Sequence, residues 1–292
     1  MNAKLLSTHA LTPLHPGTGQ GVGVIDLPIA REVSTGLPYL PGSSLKGVLR
    51  DEARSLVFSE NKQENTKMRH AIFGPDTQNA SDHAGSVQFT DQRLLLFPVR
   101  SLRGTFAWVT SPLVLRRFAR DVASTNLTGL PTVPTIDDVG DCIVVSNKSL
   151  VYNGNVYLED LDLAAHTDAE NGWGEWLAGN LFDEAWRSPF QERFCIVHDD
   201  ILSFLLQTAT EVVARIRLEE DSKTVAKGGL WYEEALPAET ILAGLVIATP
   251  IEASKEQVFS AIKTLTAQPV QVGGNATVGR GICQLRVEEG GD

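Results

Sequence analysis

One acidic residue, Asp26, follows a glycine-rich segment at residues 15–23. No second acid at close spacing and no Cys/His ligand set accompanies it. A single carboxylate suits RNA cleavage, because the substrate supplies its own nucleophile, the 2′-hydroxyl, and the protein need only align the backbone and manage protons and charge. Asp26 is therefore a candidate catalytic residue and a candidate ligand of a loosely bound Mg²⁺ or other divalent cation. His15 is a candidate general acid or base; a turn aspartate and a solvated histidine are the plainer alternatives.

A second glycine-rich segment, GGNATVGRG at residues 273–281, superficially resembles a phosphate-binding loop. A nucleotide-binding loop needs Lys-Ser/Thr after its last glycine and a helix starting there, whereas Ile282 and Cys283 follow here. Nucleotide triphosphate binding is thus disfavoured. Close approach to an RNA backbone stays open, with Gly273, Gly274 and Arg280 as candidate contacts.

A basic helix is predicted between the two glycine segments. Apolar residues at helical spacing predict a helix over residues 45–58, with Ser43 or Ser44 as its cap. Lys46, Arg50 and Arg54 recur every four residues beside the apolar face. The helix start also attracts anions, so these serines and cations are candidate RNA-binding residues.

Charge and composition limit the class of protein. The net charge of -11 argues against a simple nucleic-acid-binding protein. The charge is unevenly distributed, which weakens this argument. Residues 1–120 hold 14 Lys and Arg against 9 Asp and Glu, while the rest of the chain holds 11 Lys and Arg against 27 Asp and Glu. Three scattered cysteines and the absence of a long apolar run predict a cytoplasmic protein that does not cross a membrane.

Strands and helices alternate in both halves of the chain. Alternating patterns predict strands at residues 3–11 and 211–218, a near-continuous apolar run predicts a buried central strand at 241–249, and further strands are expected at 94–100 and 279–287. Ser111-Pro112 and a capping box at Ser254 mark two helix starts. Residues 59–84 and 124–141 are expected to be loops, and residues 219–232 a long hairpin. We predict an α+β fold with a ferredoxin-like core, an inserted hairpin and loop excursions.

Four ordered segments resemble those of a known family: GLPYLPGSSLKG at 36–47, EVVARI at 211–216, LWYEEALP at 230–237 and the glycine loop at 273–281. The first and last resemble the helix signature and glycine-rich loop of the RAMP (repeat-associated mysterious protein) superfamily. The middle two resemble the backbone subunits of type III-B CRISPR effectors, the Cmr complexes. This resemblance implies one RAMP domain over residues 1–292, with an RRM-like palm and insertions near 59–85, 124–190 and 219–232.

The same resemblance implies a function. Copies of the chain would stack in a helical filament along a CRISPR RNA, beside other subunits of the effector, and a thumb hairpin would interrupt the guide–target duplex. A loop aspartate would then support metal-dependent cleavage of the target RNA. Asp26 occupies the matching position, and Lys46 that of a basic residue against the guide backbone.

Alternatives stay open for the segment that forms the thumb and for the residues that take part in cleavage. The expected target-side residues of the thumb are Lys223, Lys227, Trp231 and Glu234, although residues 124–141 could supply the thumb instead. Glu233 or Glu234 could match a further family acid. A guide-RNA scaffold without chemistry is the main alternative function, and a stand-alone processing nuclease that uses His15 is the other.

Overall fold

The computed structural model describes residues 2–18, 25–58, 60–76, 83–146, 148–167 and 172–288. It has a mixed α+β architecture, and no described helix has the length and apolar character needed to span a membrane. The helices are α1 (Gly42–Glu52), α2 (Lys62–Phe73), α3 (Pro112–Val122), α4 (Trp173–Leu181), α5 (Glu184–Gln191), α6 (Asp199–Thr208), α7 (Lys255–Leu265) and a 3-10 turn at Ala276–Val278.

The strands account for most of the remaining regular structure. In chain order they are β1 (Ala3–Ala10), β2 (Tyr39–Leu40), β3 (Val87–Phe89), β4 (Gln92–Arg100), β5 (Phe106–Thr110), β6 (Asp141–Val144), β7 (Val151–Tyr152), β8 (Asn155–Leu158), β9 (Leu161–Thr167), β10 (Phe194–Val197), β11 (Glu211–Leu218), β12 (Val225–Ala235), β13 (Ile241–Ala248), β14 (Val270–Gln271) and β15 (Ile282–Glu288).

Thirteen strands form one mixed sheet in the order β14-β15-β1-β13-β4-β5-β10-β6-β9-β8-β7, with β2 beside β4 and β3 beside β13. Its centre, β15-β1-β13-β4, is antiparallel throughout. In the chain, α1 comes after β1 and the short β2, and α7 comes between β13 and the short β14, which precedes β15. The apolar run of β13 is buried at every residue except Ile247, as expected for a central strand covered on both faces.

Strands β11 and β12 form a separate two-stranded hairpin, residues 211–235, which is inserted between α6 and β13. Its turn lies at residues 219–224, so the hairpin begins before the predicted 219–232. The loop predicted at residues 124–141 is confirmed, because neither helix nor strand occurs between α3 and β6. It is fixed to α4 by indole N–H bonds from Trp173 to the Thr132 carbonyl at 3.0 Å and from Trp176 to the Thr128 carbonyl at 3.1 Å.

Two local predictions about helices are wrong. Helix α1 starts at Gly42, with Pro41 at the cap position, so Ser43 and Ser44 lie exposed inside the first turn and do not cap it. The Gly42 N–H is instead accepted by Asp91 Oδ1 at 2.9 Å, from a residue distant in sequence. Residues 62–73, expected to be loop, form α2, which Asn61 caps through the Gln63 N–H. The predicted capping box of Ser254 and Gln257 is confirmed.

Candidate active site

Asp26 lies in a segment, residues 25–31, that runs along strand β12 of the hairpin. Leu27 forms a parallel bridge with Glu233: the Leu27 N–H donates to the Tyr232 carbonyl at 3.1 Å, and the Glu234 N–H donates to the Leu27 carbonyl at 3.0 Å. Asp26 is exposed, and its Oδ2 accepts the Tyr232 N–H at 2.8 Å. Its Oδ1 has no hydrogen-bond partner among the described residues. One carboxylate oxygen is thus anchored and the other is available.

Glu234 faces the Asp26 segment and not the solvent. Its Oε2 accepts the Ile29 N–H at 3.1 Å, and its Oε1 accepts a bond from Arg31 Nη2 at 2.6 Å. The residue is only 4% exposed. Glu234 was predicted to contact the target; in the chain alone its carboxylate is buried and both oxygens accept internal bonds.

His15 is also held by Glu234. Its Nδ1 lies 2.6 Å from the Glu234 carbonyl oxygen, which can only accept, so the proton of the neutral ring is on Nδ1 and Nε2 is left as the acceptor. The ring is buried, and two glycines pack closely against it: a Cβ on Gly17 would lie 2.7 Å from Nε2, and one on Gly274 2.9 Å from Cδ2. His15 is thus enclosed, where a solvated loop residue was the plain expectation.

The glycine loop, residues 273–281, packs on the same residues. A Cβ on Gly273 would lie 2.5 Å from the His15 carbonyl oxygen, and Gly273 has a φ of +80°, so a side chain is excluded both by space and by backbone conformation. The Gly274 N–H donates to the same oxygen at 3.0 Å. Gly273 and Gly274 were expected to approach an RNA backbone closely. In the structure, the residue that they approach closely is His15.

Two acids of the hairpin bind the glycine loop. Glu233 Oε2 accepts bonds from Asn275 Nδ2 at 3.0 Å and from Arg215 Nε at 3.2 Å, and its Oε1 accepts the Trp231 indole N–H at 2.8 Å. Burial alone would raise the pKa of Glu233, but the bonds from Trp231 and Arg215 outweigh it and hold the pKa below its usual value. Arg280 Nη2 donates to Glu211 at 2.9 Å, while its buried Nη1 has no partner among the described residues.

The basic stripe of α1 is partly used within the fold. Lys46 Nζ donates to the Val87 carbonyl at 3.2 Å, and burial, followed by the nearby charge of Arg50, lowers its pKa. Arg50 Nη2 donates to the Pro75 carbonyl at 2.6 Å and to Asp76 at 2.9 Å. Arg54 lies beyond the end of α1, which stops at Glu52 and not at the predicted residue 58; it pairs with Asp51 at 3.0 Å and stays exposed. Of the three cations, Arg54 is the most available to a partner.

The remaining thumb candidates differ in their surroundings. Lys223 lies in the hairpin turn with a φ of +55°, and both it and Lys227 are exposed. Trp231 is half-buried, and its indole N–H is bound to Glu233. Ile216 and Leu230 are each 54% exposed. The hairpin therefore presents two lysines and apolar side chains to its surroundings.

Sequence reasoning found Asp26, His15 and the acids of β12 but missed how they are joined. Arg31 was not singled out, although a cation five residues after a candidate acid is a visible signal. Tyr232 was missed because it acts through its backbone N–H. The structure brings Asp26, His15 and Arg31 to three consecutive residues, Tyr232, Glu233 and Glu234. The basic stripe of α1 makes none of the contacts found at this site.

A metal ion would find few protein ligands here. In the parts of the chain that the structure describes, no three His, Cys, Asp or Glu side chains cluster as a metal-binding group. Asp26 can offer one unshared oxygen. This fits a hard, hydrated cation such as Mg²⁺, which commonly binds through one or two carboxylates plus water and phosphate oxygens.

Comparison with known proteins extends over nearly the whole chain. A profile described as the RAMP superfamily matches residues 9–284. The protein named CRISPR system Cmr endoribonuclease Cmr4, from Pyrococcus furiosus, is 36% identical over 297 residues, which cover 99% of this chain and 97% of that protein.

Solved structures are also similar to this chain over nearly its full length. The crystal structure of oligomeric Cmr4 from Pyrococcus furiosus has a TM-score of 0.75 at 29% identity and covers 100% of both chains. A chain in the cryo-EM structure of the type III-B Cmr-beta complex bound to cognate target RNA has a TM-score of 0.76 at 23% identity, with 97% of this chain and 96% of that chain covered, and supports the fold alone. This chain belongs to the RAMP superfamily.

Proposed function

We propose that this chain is the CRISPR-RNA-binding backbone subunit of a cytoplasmic type III-B effector complex, and that it cleaves complementary target RNA at regular intervals in antiviral defence. Similarity to a relative named as an endoribonuclease over nearly the full length of both chains supports the activity. The observation that carries the chemistry is the Asp26 carboxylate, which is fixed through Oδ2 to the Tyr232 N–H while Oδ1 has no described partner.

The proposed reaction is an intramolecular attack within the target RNA. The 2′-oxygen forms a bond to the adjacent phosphorus, the bond from phosphorus to the 5′-oxygen breaks, and the proton lost by the 2′-hydroxyl is balanced by one gained at the 5′-oxygen. Asp26 would hold a divalent cation, Mg²⁺ or another, that neutralises charge at the phosphate. Residues 25–31 and β12 would position Asp26 beside the RNA strand.

His15 has a supporting role in this proposal. Its Nδ1 is bound to the Glu234 carbonyl, and Gly17 and Gly274 pack closely against the ring. A buried ring in this position holds the backbone of residues 14–17 against β12. This arrangement favours the target-cleaving function over a stand-alone processing nuclease that would need His15 to exchange protons with a substrate.

We infer that the centre of the sheet is the RRM-like, ferredoxin-like palm of a single RAMP domain. The strand order β15-β1-β13-β4, with α1 after β1 and α7 between β13 and β15, supports this assignment. The hairpin at residues 211–235 is then the thumb, and residues 123–140 are a loop fixed to α4.

RNA would be held by residues around both glycine-rich segments. Ser43 and Ser44 are exposed on α1, Arg54 is exposed just beyond the end of that helix, and Arg280 keeps one guanidinium nitrogen without a described partner. Lys46 and Arg50 are hydrogen-bonded within the chain, but their charges would still add positive electrostatic potential to this surface. Gly273 and Gly274 stay candidate RNA contacts, although His15 fills the space that their missing side chains leave. Copies of the chain would stack along the CRISPR RNA as a helical filament with other effector subunits, a proposal supported by the crystal structure of an oligomeric relative.

Asp26→Asn tests the proposed chemistry. The amide oxygen can still accept the Tyr232 N–H, so the loop is kept while the charge is lost. In a complex reconstituted with guide RNA, we expect the single-turnover cleavage rate constant to fall by at least about 100-fold, with target affinity within about twofold, because one carboxylate adds little to phosphate binding. Asp160→Asn, in an exposed turn, is the matched control and should cut as wild type.

The guide-RNA scaffold without chemistry remains the second candidate function. The bond from the Tyr232 N–H to Asp26 favours this second function, because it gives the Asp26 carboxylate a structural role in holding its segment to β12. Undiminished cutting by Asp26→Asn would remove Asp26 from catalysis and leave it with a structural role only, as the scaffold function requires.

A further inference from the structure

We propose that Glu234 is a positioning residue for RNA cleavage: it fixes the segment that carries Asp26 against the hairpin, and it does so through Ile29 and Arg31. The proposal rests on the function proposed above and assigns a task to a buried carboxylate that has no direct access to RNA. Glu234 would control the rate of cleavage without contacting the substrate.

The contacts of Glu234 all converge on the same small region. Its carboxylate binds the Ile29 N–H and Arg31, its N–H binds the Leu27 carbonyl, and its carbonyl binds the His15 ring. One residue of β12 therefore holds both sequence-predicted catalytic candidates or their immediate neighbours. At 4% exposure, the carboxylate has little access to water as a replacement partner.

Arg31 makes the Glu234 contact rigid. Its guanidinium also donates to the Leu206 carbonyl at 2.8 Å and to the Gly36 carbonyl at 3.1 Å, so it links the Asp26 segment to the end of α6. A guanidinium has a fixed planar arrangement of donors, and three acceptors in different directions restrict it to one orientation. Glu234 is the charged member of this set.

The segment is held on its other side by residues 14–17. The Ala30 N–H donates to the Pro16 carbonyl at 2.7 Å, and Ile29 forms an antiparallel bridge with Gly17. Leu14 and Leu236 exchange N–H to carbonyl bonds at 2.9 and 2.8 Å. Residues 27–31 thus lie between β12 and residues 14–17, and Glu234 contributes the side-chain bonds between these layers.

Asp26 is three residues from Ile29, so release of the Ile29 and Arg31 bonds would be felt at its carboxylate. In-line attack at phosphorus tolerates little displacement, and a shift of about 1 Å in a catalytic group can cost roughly 100-fold in rate. RNA affinity comes from other surfaces and should be spared. Loss of the Glu234 carboxylate should therefore lower the rate constant while binding is preserved.

Glu234→Gln in the reconstituted complex is the main test. Its amide oxygen can still accept the Ile29 N–H but no longer pairs with the charge of Arg31. We expect the single-turnover cleavage rate constant at saturating target to fall about 10-fold or more, with target affinity within about twofold and normal assembly. Arg31→Lys should give a smaller fall in the same rate constant, because it keeps the charge and loses the planar donors.

Glu288→Gln is the control for replacing a half-buried carboxyl group, near Ser7 on β15 and outside the Asp26 segment; burial raises the pKa of Glu288 to about 7, so the substitution removes only part of a charge near neutral pH. It should cleave as wild type. An unchanged rate in Glu234→Gln would overturn the proposal, and so would a parallel loss of binding and assembly, which would make Glu234 a residue of the fold only. Wild-type cutting by Asp26→Asn would instead overturn the proposed function itself.

Discussion

The two ends of the hairpin are built from the same pair of strands but have opposite surroundings. At the hairpin base, residues 211–215 and 231–235, Glu211 and Glu233 bind the glycine loop, and Glu234 binds the segment that carries Asp26. At the hairpin tip, residues 216–230, most side chains are exposed, including apolar ones. The base is held by its own chain, whereas the tip is not covered by any described part of it.

This difference indicates where the chain needs a partner. Apolar side chains in water are unfavourable, and a contiguous group of them on a protein surface usually marks an interaction site. Ile216 and Leu230 are directly opposite each other in the hairpin, so their exposed side chains form one surface. The base positions the candidate chemistry, and the tip is the part expected to meet RNA or a neighbouring subunit.

The largest expected difference between base and tip is in stability. Glu234→Ala leaves Arg31 and the Ile29 N–H without their buried acceptor, and we expect it to lower the free energy of unfolding by about 3 kcal/mol. Ile216→Ser at the tip should change it by less than about 0.5 kcal/mol, because the side chain is already exposed. Urea denaturation of the purified chain would measure both. Equal losses would show that the tip is as well packed as the base.

A smaller effect is expected in RNA binding. Lys223→Ala combined with Lys227→Ala removes two exposed cations from the tip. If both lie near target phosphates, the slope of log affinity against log salt should flatten by about 1 to 2, with weaker binding of all target sequences. Fluorescence anisotropy at several salt concentrations would measure the slope in the assembled complex. A slope equal to that of wild type would place the tip away from the target backbone.

The smallest effect is a pH dependence of the base. The pKa of Glu233 is lowered in the folded chain, so its contribution to stability is present above the unfolded pKa, near 4.5, and is lost as pH falls through the lower, folded value. We expect wild type to lose about 1 kcal/mol more than Glu233→Gln between pH 6 and pH 3. Urea titrations at both pH values would test this. A variant with the same acid sensitivity as wild type would mean that the three bonds to Glu233 do not favour its charged form.

The sequence predicted the chemistry-bearing residues better than their contacts. Asp26, His15 and the acids of β12 could be selected by type and by resemblance. Their arrangement depends on pairs more than 200 residues apart, such as Arg31 with Glu234, and no local spacing encodes such a pair. For the same reason the internal bonds of Glu234 could not be predicted from the sequence.

Local signals were reliable where the chain satisfies itself locally. The capping box at Ser254 and the apolar run of β13 were both confirmed. The cap of α1 was not, because Asp91 takes the role expected of Ser43 or Ser44. Helix α2 was missed because polar and charged residues dominate it, and its apolar positions collect only at its end, at residues 71–73.

The pairing of Leu14 with Leu236 has a consequence for folding. The two residues are separated by most of the chain. Residues 14–17 therefore cannot pack beside the hairpin until a contact of very high sequence separation forms. During synthesis, residues 14–31 leave the ribosome long before β12 exists. An unfinished polypeptide therefore carries Asp26 without the backbone that orients it, and the candidate nuclease site matures only in a nearly complete chain.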